Sequence, residues 1–216
     1  MTLRRTTMAL LLAALMLTGF AATNHALAQS TDQPSQTSKK DDETNLDTHL
    51  YLIVGTNQEV TDAKLPAVLE PVIKQLRGSL PFKNYKISAT LINRVKNEGR
   101  LNLRWIGGPL LGSAADTART PSFNTFRVNG VKLSRDAGGN EVVRMEGFSF
   151  GARIPIQTGT AIASTGPAAP IINYEETGLS TDISMREGEP VIVGTVNVGP
   201  SGEAIIIVMS VKRTTP

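Results

Sequence analysis

From His49 to Gly55 the chain reads His-Leu-Tyr-Leu-Ile-Val-Gly, an apolar run stopped by glycine, and this predicts a buried strand. Leu65, Leu69, Val72, Ile73 and Leu76 then recur at spacings of three and four, the stripe of a helix packed on one face. Gly78 supplies the stop, and Lys74 and Arg77 stand near the carboxyl end, where the helix dipole favours cations. Pro66 suits a first turn. Pro71 lacks an N–H and is harmless only if the regular helix begins around Val68 or later, so a short or kinked helix is expected. Two strands follow, at 86–95 and 100–106. In the second, Leu101, Leu103 and Trp105 alternate with Asn102 and Arg104, the period of a half-buried strand. Asn97-Glu-Gly99 between them is a hairpin turn signal.

After a glycine- and alanine-containing loop at 107–122, every signal is strand. The runs 123–133 and 141–156 flank Asp136-Ala-Gly-Gly-Asn140, whose residues tolerate positive φ. In the longer run the apolar set changes parity at Gly147, from Val143 and Met145 to Phe148, Phe150, Ala152 and Ile154, which predicts a β-bulge there. Residues 158–170 read as a small-residue loop. Strands follow at 181–185, 190–198 and 203–212, the last two joined through Gly199-Pro-Ser-Gly202. The fold class is therefore α+β: a small β-α-β-β unit over about 48–107, then a mainly antiparallel β region over about 120–214.

The amino-terminal pattern changes the picture, because it sets the compartment. Arg4 and Arg5 precede an uninterrupted apolar run from Met8 to Leu17, and Ala26-Leu27-Ala28 is a small-x-small cleavage site. Residues 1–28 thus read as a signal peptide cleaved before Gln29. The apolar run falls short of the ~20 residues that span a bilayer, so no transmembrane helix is expected after cleavage. Residues 29–47 are a polar linker whose composition cannot offset its ordering entropy by burial. The expected location is outside the cytoplasm, in the periplasm or associated with the outer membrane.

Charge and composition exclude several classes. The formal net charge is +3, but the leader holds two of the 22 basic residues and none of the 19 acidic ones. The remainder is near neutral, which gives no footprint for nucleic acid. There is no cysteine, hence no disulfide framework and no thiol nucleophile.

Candidate chemistry is sparse. His49 is the single histidine beyond the leader and has no recognisable partner; a lone histidine at the edge of an apolar run reads as structural or solvated. Zinc would need several Cys or His ligands. Glu175 and Glu176 are adjacent and point to opposite faces of a strand, and nothing singles out a pairing of Glu146 with Glu175 for glycoside chemistry. Asp41-Asp-Glu43 lacks the alternating spacing of a calcium loop. No catalytic, cofactor-binding or metal-ligating residue is expected.

One segment carries a resemblance. Phe150-Gly-Ala-Arg-Ile-Pro-Ile-Gln-Thr-Gly159, a small-residue loop, then Ile172-Asn-Tyr-Glu-Glu-Thr-Gly-Leu-Ser-Thr-Asp-Ile183 resembles part of the barrel domain of the bacterial secretins. These are the outer-membrane ring proteins of secretion systems and type IV pili. Gly151, Ile154, Pro155, Thr158, Gly159, Tyr174, Gly178 and Leu179 occupy the matching positions. In that reading Pro155 ends ladder pairing, Gly159 turns the chain and Gly178 permits a bend or bulge. Glu176-Thr177 depart from the Asp-Val common in the family. The resemblance implies a reduced secretin-like β-module rather than a complete gated channel. Its partner would be itself or an envelope protein, and it would use no cofactor. The alternatives are a secreted carboxylate-dependent hydrolase and a periplasmic small-molecule binding module.

Overall fold

The computed structural model describes residues 44–59, 65–108, 110, 120–161, 169–198 and 202–214. The expected signal peptide, most of the linker and the acidic run at 41–43 lie outside these residues, as do most of the 107–122 loop and the Gly199-Pro-Ser turn.

The described elements run β1 (Asn45–Thr56), a 3-10 turn (Ala67–Leu69), α1 (Glu70–Ser79), β2 (Asn84–Lys96), β3 (Gly99–Gly107), β4 (Ser122–Arg135), β5 (Glu141–Ala161), β6 (Ala169–Arg186), β7 (Val191–Val198) and β8 (Glu203–Arg213). They form two four-stranded antiparallel sheets, ordered β2-β1-β8-β7 and β3-β4-β5-β6. Among the described residues the protein is thus mostly antiparallel β with one short helix. The β-α-β-β stretch does not form a sheet of its own, since β1 and β2 pair beside β8 while β3 pairs with β4.

Three layers result. Leu50, Leu52, Ile205 and Ile207 from the first sheet and Phe126, Phe148 and Phe150 from the second belong to one apolar cluster, so the sheets pack face to face. On the opposite face of the first sheet, Tyr51, Ile53, Ile206 and Val208 pack under Leu69, Val72, Ile73 and Leu76 of the helical segment. The central strands β1 and β8 are therefore covered on both sides. This is why 204–209 reads as an unbroken Ala-Ile-Ile-Ile-Val-Met run, whereas β4 in the second sheet alternates buried and exposed positions.

Pro71 falls in the first turn of α1, where its missing N–H is not needed, and the preceding 3-10 turn absorbs the change of direction. At Gly147 the pairing of β5 with β6 shifts register and the residue takes φ +59°, so the parity change is a bulge. The Gly147 N–H donates to Asp182 Oδ1 at 2.6 Å, which pins the bulge to β6.

Four expectations about 155–178 are corrected. Pro155 does not end the ladder: it pairs with Tyr174, and pairing continues to Ala161 opposite Ala169. Thr158–Ala161 belong to β5 and Ala169–Pro170 to β6, so the loop is shorter than the small residues implied. Gly159 is a strand position beside a bulge rather than the turn. Gly178 lies in regular register opposite Gly151, and its reason is different: a Cβ there would collide with the Phe150 carbonyl oxygen and the Gly151 Cα.

Candidate functional site

All eight secretin-matching positions fall on the β5–β6 pair, which is the longest among the described residues. Phe150 faces Leu179, Gly151 faces Gly178, Ile154 faces Glu175, Pro155 faces Tyr174 and Gly159 faces Ile171; Thr158 is the bulge residue between. The pairing of β4 with β5 stops at Phe123 opposite Arg153. From Ile154 to Ala161, β5 pairs with β6 alone, giving a two-stranded ribbon about 25 Å long. Thr158 Oγ1 accepts from Asn173 Nδ2 at 3.2 Å across this ribbon. At its root Ile154 is 2 % exposed and anchors the ribbon in the sandwich core, while Ile171 further out is 46 % exposed.

Beside the ribbon, the outer face of the β3–β6 sheet is built in rows across the four strands. One row is tall: Ile106, Phe123, Arg153 and Glu176 stand opposite one another in turn. Arg153 Nε lies 3.3 Å from Glu176 Oε1, and its guanidinium carbon is 5.8 Å from the Tyr174 ring centroid. That ring in turn lies 5.6 Å from the ring of Phe123, and the Tyr174 hydroxyl donates to the Pro121 carbonyl at 3.1 Å. The next row is low: Arg104, Thr125, Gly151 and Gly178. The third is polar: Asn102, Arg127, and Ser149 hydrogen-bonded to Ser180 at 3.1 Å. Gly151, which carries no side chain, and Thr125 floor a trough of about 480 Å³ beneath the tall row, reached on β6 by Glu176 and Thr177. Two large apolar side chains border it in the open, Ile106 at 69 % exposure and Phe123 at 40 %.

The candidate catalytic groups are not brought together. His49 Nδ1 lies 3.4 Å from the Tyr51 hydroxyl, and no carboxylate hydrogen-bonds to the ring among the described residues. Glu146 sits at the Gly147 bulge while Glu175 faces Ile154, about 25 Å away along the sheet. A glycosidase pair needs roughly 5–9.5 Å, so these two carboxylates do not form one. No group of three or more metal-ligating side chains occurs among the described residues. Nor does any described helix have the length and apolarity to cross a membrane, which says nothing of strands.

The glycines of the segment were visible in the sequence. The trough was not, because its lining comes from four strands that only the pairing of the sheet brings side by side.

No family model and no curated protein matches the sequence. Several solved structures are similar to it, and they are secretins, the family that residues 150–183 resemble. The secretin-domain β-barrel of InvG from the Salmonella SPI-1 injectisome is 12 % identical, with a TM-score of 0.35, over 81 % of this chain and 64 % of that one. The type IV competence pilus secretin PilQ of V. cholerae is 11 % identical, with a TM-score of 0.32, over 80 % of this chain and 59 % of that one. The Klebsiella pneumoniae type II secretion system outer membrane complex of PulD, PulS and PulC gives 11 % identity and a TM-score of 0.32, over 80 % of this chain and 39 % of the matched chain. The chain spans less than two thirds of the length of each.

Proposed function

We propose that this is a non-enzymatic cell-envelope protein that acts through β-strand-mediated assembly, as part of or beside a secretion or pilus system. The observation that carries the reading is the β5–β6 ribbon, which runs past the end of β4 with β5 paired on one side only. A two-stranded ribbon is marginal in water by itself, and unpaired strand edges are templates for another chain. The secretin-like residues of the sequence all lie on this strand pair. The amino-terminal pattern supports export with cleavage before Gln29, which puts the ribbon where envelope partners are.

Self-pairing is favoured by charge. The β3–β6 sheet has two edges: β3 carries Arg100 and Arg104, while β6 carries Glu175, Glu176 and Asp182, with Arg186 at its end. Edges of opposite sign in one sheet favour head-to-tail contact between copies over like-to-like contact.

The absence of cysteine provides a clean test. Thr160→Cys, at the end of the ribbon, is expected to form a cross-linked product in cells with a second copy or an envelope protein. Gly78→Cys on the helix should not. Equal capture at both positions, or at neither, would count against assembly through the ribbon.

A further inference from the structure

The trough on the outer face of the β3–β6 sheet is separate from the ribbon, and strand pairing does not account for it. The solvent face of an antiparallel sheet ordinarily carries polar side chains. Here two large apolar side chains, Ile106 and Phe123, stand open beside a floor of Thr125 and Gly151, with Gly178 opposite Gly151. The charges are asymmetric as well. Arg153 is occupied by Glu176, whereas Arg104, which lines the trough at the β3 end, and Arg127, its diagonal neighbour one row away, have no ion-pair partner among the described residues. Diagonal cross-strand neighbours lie about 7–8 Å apart, close enough for two guanidinium groups to converge on one anion.

We propose that this trough binds the single acyl chain of an anionic amphiphile. The tail lies across Thr125 and Gly151 under Phe123 and Ile106, and the carboxylate or phosphate head meets Arg104 and Arg127. Three interstrand spacings set the length available at about 14 Å, the reach of a medium acyl chain. Burial of the methylenes against the tall row supplies affinity, and the two arginines fix the direction of the chain. The site makes no use of the ribbon; it shares Arg104 with the charged β3 edge, and capture through Thr160→Cys, which does not involve Arg104, tests the assembly reading apart from it.

The test is calorimetric titration of the purified chain with decanoate held below micelle formation, with 1-decanol as the neutral control. One saturable site is expected. Arg104→Gln, an exposed substitution that leaves the fold intact, should weaken binding about fivefold at low salt. Gly151→Val, which fills the trough, should abolish it, with circular dichroism confirming the fold. Sedimentation with phosphatidylglycerol vesicles distinguishes the source of the ligand. Vesicle binding lost in Arg104→Gln assigns a membrane lipid; decanoate binding without vesicle binding assigns a free fatty acid. Decanol binding as tightly as decanoate, indifference to Arg104→Gln, or no binding of either probe would overturn the proposal.

Discussion

At the scale of single residues, two glycines make opposite demands. A Cβ on Gly178 would meet the backbone of Phe150 and Gly151, which cannot yield as a flexible side chain could. Gly178→Ala should therefore cost on the order of 1–3 kcal/mol, read from the urea midpoint. Gly78, inside α1, has nothing within 4 Å of such a Cβ, so Gly78→Ala should instead stabilise by about 0.5–1 kcal/mol. Asp136 sets a pH dependence. Its carboxylate accepts from the Asn140 side chain, from the Asn140 N–H and from the Gly138 N–H, and these bonds hold its pKa below the ordinary 3.8. The unfolded chain then binds the proton first. The contribution is complete above the ordinary value and is lost as pH falls through the lower folded one. Asp47, held low by its hydrogen bond to Arg94, adds to the same acid limb. Asp136→Asn should flatten the fall of the urea midpoint below about pH 4. An unchanged acid limb would show that the turn does not contribute.

At the scale of elements, what the sequence revealed depended on whether local pattern or distant pairing decided the outcome. The helix stripe, the role of Pro71 and the Gly147 bulge were legible, because periodicity and the chemistry of proline and glycine are local. The strand state of Thr158–Ala161 was not. Thr-Gly-Thr-Ala has no apolar alternation, and it is extended because Ile171, Pro170 and Ala169 pair against it. The assignment of strands to sheets was hidden too, since β1 lies next to β8 although about 150 residues separate them, and no short-range signal encodes that. The same distance explains the helix: α1 is held by the outer face of a β1–β8 pair brought together from the two ends of the described chain. Leu76, fully covered in that layer, tests it. Leu76→Ala should destabilise by about 2–5 kcal/mol in urea, whereas a loss under about 1 kcal/mol would mean that the helix is a dispensable cover.

At the scale of the whole molecule, a sandwich with a sealed centre carries one pair of strands beyond its own sheet. Its two cores bury the apolar residues of β1 and β8 on both faces, and the ribbon is the part left over. The site for disrupting association must be chosen accordingly. Ile154 lies in the sandwich core, so an aspartate there would unfold the protein rather than report on contact, whereas Ile171 stands in the open on β6. The direct measurement is light scattering on the purified chain beginning at Gln29, the proposed start after cleavage, wild type beside Ile171→Asp, over a range of concentration. Strand-mediated assembly predicts a mass above that of one chain for the wild type, falling to the monomer in Ile171→Asp with unchanged circular dichroism. A wild type that stays monomeric at high concentration, and that captures nothing through Thr160→Cys in the envelope, would contradict it.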